Sequence, residues 1–328
     1  MGWELFDYAS GHNLAGTLRT VPPSTWCQAF YLFAAGGVMV VAAAPREART
    51  LLVDYGARKS HDSPTENRKG TSPQSPAHRG RALSLIAVVT SWGQVPHAWF
   101  SAFYVVSLVG SLFWLVQYFT NGTVLNSIAS NQAAAPGPSA TLEQVTVAWA
   151  VMFLQASRRL YEHAAVLGHS SSKMWVVHWL LGLCFYLFTS VAIWAEGSRA
   201  ILDRSASETG NLALFLKIAA GIPCFLFAWV NQYRCHKHLA GLKKYSLPDW
   251  GLFRHLICPH YTCECLLYLS LAVIAAPEGH LCNKTLLCAL TFVLVNLGVT
   301  ASGTRKWYIE RFGIQAVAEK WNMIPFVF

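Results

Sequence analysis

The sequence predicts an all-α protein, a polytopic membrane bundle of seven transmembrane helices with a lumenal N-terminus and a cytosolic C-terminus. The first reason is composition: 54% of the 328 residues are apolar and 12% are charged, whereas soluble domains have about 45–50% and about 25%. The second reason is that the apolar residues form blocks long enough to span a membrane. The third is that Lys and Arg are concentrated in every second loop.

The apolar blocks define the helices in chain order. A bilayer core of about 30 Å requires about 20 mostly apolar residues per helix. Suitable blocks lie at residues 27–45, 97–119, 143–156, 174–195, 211–230, 262–278 and 285–303. The third and sixth blocks are short and contain Glu143 and Glu264, so hydropathy alone would overlook them. We expect residues 1–328 to form a single domain.

The loop charges predict the orientation. Loops 46–94, 157–173 and 231–261, together with the tail 304–328, contain 20 of the 25 Lys and Arg residues. Because cationic residues accumulate on the cytosolic side of membrane proteins, these four segments are predicted to be cytosolic. The net charge of +9 then reflects membrane topology, and we expect no nucleic-acid partner.

Three further features refine this picture. Residues 59–82, rich in Ser, Pro and charge, are predicted to form a disordered cytosolic loop. Two glycosylation sequons, at Asn121 and Asn283, lie in predicted lumenal loops, although sequons also occur by chance. The nine cysteines show no paired Cys-x-x-Cys spacing, so we interpret them as small core residues and expect no metal site.

Four polar clusters lie at the predicted cytosolic ends of the helices. Unpaired polar groups in hydrocarbon cost several kcal/mol, so such clusters mark functional sites or internally paired groups. They comprise residues 155–162, 231–244, 249–264 and 304–312.

The first two clusters offer cationic and amide groups. Arg158 and Arg159 suit bidentate phosphate binding, or they are topology anchors at the lipid headgroups. Gln232, His236 and the lysines that follow would give one helix face able to bind an anionic ligand. His236 and His238, two residues apart, would lie on different faces, which disfavours a shared metal.

The last two clusters flank the sixth and seventh blocks. Pro259 can begin a helix in its first turn, which places Glu264 about one turn inside the span. An intramembrane carboxylate is either functional or the buried partner of an arginine. Arg305 and Lys306, followed by Trp307 and Tyr308, would by themselves form an ordinary interfacial belt.

Together, in this order, the clusters resemble the steroid 5-alpha-reductase family, and within it the polyprenal reductase branch. The resemblance is strongest in the C-terminal region 146–328. The matching motifs are Val95–Tyr104, Arg158-Arg159, Gln232-Tyr233-Arg234-Cys235-His236, Asp249-Trp250, Pro259-His260-Tyr261 with Glu264, Trp307-Tyr308 and the ending Ile324-Pro-Phe-Val-Phe328. No single motif is specific, but their joint order is.

The resemblance implies an endoplasmic reticulum membrane enzyme that uses NADPH to reduce a carbon–carbon double bond conjugated to a carbonyl. In the polyprenal branch, the substrate is a long-chain polyprenyl lipid, the aldehyde polyprenal. Its reduction gives dolichal on the way to dolichol, the lipid carrier of N-glycosylation. The implied cofactor-binding residues are Arg158, Arg159, Gln232, His236, Lys243, Asp249, His260 and Arg305. The candidate catalytic residues are Tyr161, Glu264 and Tyr308.

The chain departs from the steroid-reducing members at two places. Those members carry a Gln-Glu pair in the first cytosolic loop and a tyrosine near the span-three arginines, which contact the steroid ketone. This chain has Thr50–Asp54 and Ala156 at the corresponding positions. A steroid substrate is therefore disfavoured. The proton donor must also be another group, for which Tyr161 is the first candidate and Tyr308 the second.

Other functional classes of membrane protein remain open as alternatives. A steroid reductase is the nearest alternative, and a membrane methyltransferase acting on prenylated substrates would use S-adenosylmethionine instead of NADPH. A transporter would show inverted repeats and polar groups at the bilayer midplane, whereas these polar groups cluster at one interface. The sequence does not indicate an oligomeric state.

Overall fold

The protein is described by a computed structural model at residues 21–45, 47–49, 81–166, 172–204, 212–243 and 245–328. The described part is mostly helical, as predicted. Its main helices are α1 (Pro23–Ala43), α2 (Arg81–Ser91), α3 (Ser101–Phe119), α4 (Thr123–Ala133), α5 (Leu142–Tyr161), α6 (Val176–Ala195), α7 (Ser198–Asp203), α8 (Leu212–Gly241), α9 (Pro259–Ile274) and α10 (Lys284–Phe312).

Shorter elements join these helices. A 3₁₀ turn, His97–Phe100, leads into α3, and a π-helical turn, Glu162–Val166, continues α5. Two short strands, β1 (Gln94–Pro96) and β2 (Lys173–Trp175), pair antiparallel, an addition to the all-α prediction. Further 3₁₀ turns are Gly251–Arg254 and Ile314–Val317.

Among the residues that the structure describes, five helical segments are long and apolar enough to cross a membrane: Pro23–Ala43, His97–Phe119, Val176–Ala195, Leu212–Gly241 and Lys284–Phe312. They match the first, second, fourth, fifth and seventh predicted blocks, which confirms a multi-pass helical membrane protein. The short third and sixth blocks correspond to α5 and α9. The count of seven spans and the orientation of the termini therefore stay predictions.

Two predicted loops contain helices. The predicted disordered segment 59–82 lies outside the described residues except for its last two, at which α2 begins. The loop 120–142, between the second and third apolar blocks, is predicted to be lumenal because it alternates with the cytosolic loops, and it contains α4. Both helices have 11 residues, which is too short to span a membrane.

Local sequence signals set the helix starts that matter for the site. Thr141 and Gln144 form a reciprocal capping box at the start of α5, with Thr141 N donating to Gln144 Oε1 at 3.0 Å. Pro259 occupies the first turn of α9, as predicted. Asn283 caps α10, accepting a 3.0 Å hydrogen bond from Leu286 N.

Helix α9 lies in the interior of the bundle, packed against α8, α10 and α5. Its side chains Leu267, Leu271 and Ile274 are almost completely buried. A Cβ on Gly221 of α8 would lie 2.4 Å from Ile274 Cγ1, so the glycine allows α8 and α9 to approach closely.

The C-terminal segment fixes the start of α9. Ile257 N donates to Trp321 O at 2.8 Å, and Trp321 N donates to His255 O at 2.9 Å. Cys258 N, immediately before the helix, donates to Asn322 O at 2.9 Å. The chain end therefore holds the helix that carries His260 and Glu264.

Candidate functional site

A cavity of about 310 Å³ lies among α3, α5, α6, α8, α9 and α10. One part of its wall is apolar, and the other carries polar and charged groups. The apolar part includes Phe100, Phe103, Leu181, Phe185, Phe292, Val293 and Leu297, and the polar part includes Tyr104, Arg159, Tyr186, Gln232, His236, His260 and Glu264. An apolar pocket with a few convergent polar groups is typical of a small-molecule site.

The end of α5 supplies the charged groups. Glu162 is completely buried and lies one helical turn from both arginines, with Arg158 Nε 3.4 Å from its Oε1. Arg159 Nη1 contacts Glu162 Oε2 directly. Spacings of three and four residues place the three side chains on one helix face. A single carboxylate therefore neutralises part of the positive charge of one buried and one partly buried guanidinium.

Helix α8 presents Gln232 and His236, four residues apart and on the same face. Gln232 Oε1 accepts from Gln155 Nε2 at 3.0 Å and also from Arg158. His236 Nδ1 lies 2.7 Å from both Glu162 Oε2 and Arg159 Nη1. It can donate to the carboxylate or accept from the guanidinium, but not both at once.

Helix α9 supplies His260 and Glu264, again four residues apart. The amide of Gln232 donates to Glu264 Oε2 and, at 3.3 Å, to His260 O. The His260 and His236 rings meet edge to face with centroids 5.6 Å apart. His260 Nδ1 is buried and has no hydrogen-bond partner among the described residues.

The environment keeps Glu162 ionised. Burial alone would raise the pKa of this carboxyl, but the hydrogen bond with His236 and the positive charges of Arg159 and Arg158 outweigh that effect. The pKa of Glu162 consequently lies below its ordinary value. The negative charge in turn keeps Arg159 in place beside the cavity.

The structure brings together five of the residues predicted from sequence. Arg159, Gln232, His236, His260 and Glu264 all line the cavity. Arg158 lies behind them, donating to Gln155 Oε1 at 2.7 Å and resting on the Trp229 ring at 5.0 Å. Both arginines are thus engaged with internal partners rather than exposed as headgroup anchors.

The other predicted site residues lie elsewhere. Tyr161 is 56% exposed and is not part of the cavity wall. Tyr308 is buried, and its ring contacts Trp307 and Phe312. Arg305 donates to the carbonyls of Val317 and Lys320, at 3.0 Å to Val317 O. Lys243 and Asp249 are exposed after α8.

Sequence reasoning missed several cavity residues. Tyr104 and Tyr186 come from α3 and α6, far from the clusters in sequence. Tyr104 did belong to a quoted matching stretch, and Glu162 to the first cluster, but nothing in the spacing marked either as central. Asn296 and Thr300 of α10 also line the cavity, and no local signal distinguished them.

The arrangement combines an apolar compartment with a fixed positive charge, an ionisable carboxyl and amide and imidazole groups. Hydrogen-bond donors and a cation held in place can stabilise negative charge that develops on a bound carbonyl oxygen. The amide and imidazoles can also orient a planar polar ring. This chemistry fits a reductase acting on a conjugated carbonyl compound.

Comparison with known proteins supports this reading. Residues 173–328 match the family described as 3-oxo-5-alpha-steroid 4-dehydrogenase. A polyprenal reductase of Xenopus tropicalis is 29% identical over 72% of this chain and 81% of that protein.

Two further relatives are also named polyprenal reductases. A polyprenal reductase of Saccharomyces cerevisiae is 29% identical over 71% of this chain and 75% of its own length. Polyprenal reductase 2 of Oryza sativa subsp. japonica is 24% identical over 80% of this chain and 86% of its own length. The resemblance predicted from the sequence is therefore confirmed: residues 173–328 match the model of the steroid 5-alpha-reductase family, and the chain is an oxidoreductase acting on CH–CH groups.

Proposed function

We propose that this chain is an NADPH-dependent polyprenal reductase, which reduces the α,β double bond of polyprenal to dolichal in dolichol biosynthesis for protein N-glycosylation. The observation that carries the proposal is the cavity, where an apolar wall adjoins a polar end holding Arg159, Gln232 and Glu264. The similarity to proteins named polyprenal reductase supports the substrate class.

The polar end fits the nicotinamide part of a dinucleotide. His260 Nδ1 is a buried polar atom that lacks a partner in the described part of the chain, and a carboxamide could satisfy it. A volume of about 310 Å³ is at the lower end for ligand pockets and suits a nicotinamide ring together with an aldehyde head.

The rest of the dinucleotide needs other partners. The exposed cations Arg234, Lys237 and Lys243 can neutralise its phosphates, and Asp249 stays proposed as a further contact. We assign Gln232, His236 and His260 to the nicotinamide end. Arg158 then acts by holding Gln232, because its guanidinium donates to Gln232 Oε1.

When bound, NADPH would supply a hydride to the β-carbon of the conjugated aldehyde. Negative charge then develops on the carbonyl oxygen, and the cation of Arg159 would stabilise it. Glu264, held by Gln232, would orient the reacting groups. The apolar wall makes the compartment less polar than bulk water, which strengthens these electrostatic interactions.

The apolar wall also suits an isoprenoid. Phe100, Leu181 and Leu297 provide a surface for the first isoprene units, while the remainder of the chain stays in the lipid and the head enters from the side. The family description names a steroid activity, so a 4-ene-3-oxo steroid is the alternative substrate to test.

We also propose that α5 and α9 complete a seven-span bundle in the endoplasmic reticulum membrane, with the N-terminus lumenal. Glycosylation acceptors inserted separately at 167–171 and at 205–210 test the orientation. We expect glycan only on the second insertion, which lies in a predicted lumenal loop. Glycan on the first would contradict the topology.

Product analysis tests the activity itself. Purified protein is incubated with polyprenal or the steroid and with NADPH deuterated at C4, and the products are examined by mass spectrometry. We expect saturated aldehyde carrying one deuterium from polyprenal. Product from the steroid alone would support a steroid reductase, and thermal stabilisation by S-adenosylmethionine without NADPH-dependent product would favour a methyltransferase.

Two variants test the sequence-derived site residues. Glu264→Gln should lower polyprenal reduction without loss of expression, and Glu319→Gln, an exposed carboxyl, is the matched control. Tyr308→Phe should leave turnover near wild type, because Tyr308 lies outside the cavity wall. Wild-type turnover in Glu264→Gln would remove Glu264 from the site, and a large loss in Tyr308→Phe would return Tyr308 to it.

A further inference from the structure

We propose that Tyr104, paired with Arg159, is the catalytic acid that protonates the substrate oxygen. This inference rests on the proposed function and adds the proton donor that the sequence did not identify. It is carried by the position of Tyr104, which lines the cavity and whose hydroxyl contacts the guanidinium of Arg159.

The hydrogen-bond direction leaves the phenol proton available. Arg159 Nη2 donates to Tyr104 Oη at 2.6 Å. A guanidinium has five N–H donors and no acceptor, so Arg159 cannot receive the hydroxyl proton. Tyr104 is 4% exposed, and its proton is therefore available to a group inside the cavity.

The arginine also favours the product of proton transfer. Its guanidinium carbon lies 4.9 Å from the Tyr104 ring centroid, and its Nη1 contacts Glu162. A positive charge fixed beside the phenol stabilises the phenolate that remains after the proton has left. Glu162 holds Arg159 in this position, so we assign Glu162 a positioning role.

The alternative donors fit less well. Tyr161 is exposed outside the cavity. Tyr186 lines the cavity with its ring centroid 6.2 Å from that of Tyr104, but it is Tyr104 whose oxygen Arg159 contacts. Glu264 Oε2 accepts a hydrogen bond from Gln232, so this carboxyl oxygen already has a partner within the protein.

The proposed step balances with reduced nicotinamide as the reductant. The β-carbon receives a hydride, the double-bond electron pair moves between the α-carbon and the carbonyl carbon, and the carbonyl pair moves onto oxygen. The Tyr104 O–H bond breaks as the enol O–H bond forms, leaving a phenolate beside Arg159. The enol then tautomerises to the saturated aldehyde by exchange with water, and water reprotonates the phenolate.

The test compares Tyr104→Phe with Tyr118→Phe. Tyr118 is on the same helix, lies under Arg204 at 5.3 Å, and is about 21 Å along the helix from Tyr104. General acid catalysis contributes about 10²–10⁴-fold to rates, so Tyr104→Phe should lower kcat for polyprenal by about that factor. NADPH affinity should be unchanged, and Tyr118→Phe should behave as wild type.

The outcomes separate this inference from the proposed function. A wild-type enzyme that does not reduce polyprenal refutes the function, whereas an active wild type with a Tyr104→Phe variant retaining most of its turnover refutes only the role of Tyr104. If the Tyr104→Phe variant fails to bind NADPH, a second variant with 3-fluorotyrosine at position 104 is tested instead. Its more acidic phenol should move the alkaline limb of the kcat profile to lower pH, and an unmoved limb would overturn the proposal.

Discussion

Replacing Glu162 by glutamine should strongly destabilise the protein. The carboxylate is completely buried, contacts Arg159, and lies 3.4 Å from Arg158 Nε and 2.7 Å from His236 Nδ1. Glutamine has nearly the same volume, so packing changes little while the charge is lost. Removing one partner of a buried ion pair costs about 3–5 kcal/mol because the remaining charge is uncompensated. With two guanidiniums affected, we expect a loss in the upper part of this range.

The measurement is the free energy of unfolding in detergent, followed by tryptophan fluorescence in denaturant. Glu319→Gln changes an exposed carboxyl and should stay within about 0.5 kcal/mol of wild type. Combining Glu162→Gln with Arg159→Gln should give a coupling energy between about 0.5 and 3 kcal/mol. A loss below about 1 kcal/mol, typical of solvated surface pairs, would refute the buried-network interpretation.

The same carboxyl predicts a pH dependence with a definite sign. The pKa of Glu162 in the folded protein lies below its ordinary value of 4.5. Its ion pairs therefore stabilise the fold fully above that value, and this stability is lost as pH falls through the folded pKa. Unfolding free energy measured from pH 7 to pH 3 should decline at the acidic end in wild type, and less in Glu162→Gln.

Three further substitutions test other parts of the structure. In Gly182→Val, the new Cβ would lie 2.6 Å from the Phe103 ring; overpacking should cost about 1–3 kcal/mol and, in steady-state kinetics, raise KM for polyprenal more than for NADPH. In Asn283→Ala, loss of the α10 cap should cost about 1 kcal/mol in thermal unfolding, and glycopeptide mapping of wild type should find no sugar on this buried side chain. In Arg305→Gln, two backbone carbonyls of the C-terminal segment lose the side chain that donates hydrogen bonds to them. Limited proteolysis of that segment should therefore become faster by a factor corresponding to about 1–3 kcal/mol, while NADPH affinity should change less. A selective loss of NADPH affinity would instead make Arg305 a cofactor ligand.

Helix periodicity explains which parts of the site the sequence could predict. Gln232 with His236, and His260 with Glu264, are each four residues apart, so placing them on one face needed only the helical repeat. The same repeat argues against Tyr161, because two residues beyond Arg159 corresponds to about 200° around the helix. Its side chain therefore points away from the cavity.

Contacts between distant segments could not be predicted in this way. Tyr104 meets Arg159 across 55 residues of sequence, and the pairing depends on how α3 and α5 pack. The role of Arg305 was hidden for the same reason. A cation after an apolar block suggests an anionic ligand, whereas here backbone carbonyls twelve and fifteen residues later accept its hydrogen bonds.

Two predicted spans, α5 and α9, are not among the helices that are long and apolar enough to cross a membrane, and these two helices carry most of the charged site. Outer helices expose apolar side chains, such as Phe33 of α1 at 85% and Phe215 of α8 at 66%, and these must be apolar because lipid surrounds them. A helix packed among other helices has no such requirement, so its polar groups can be satisfied by neighbouring side chains, as Glu264 is by Gln232. The interior position of α5 and α9 therefore tolerates polar side chains on these helices, and it allows a guanidinium, a carboxylate and an amide to line one cavity.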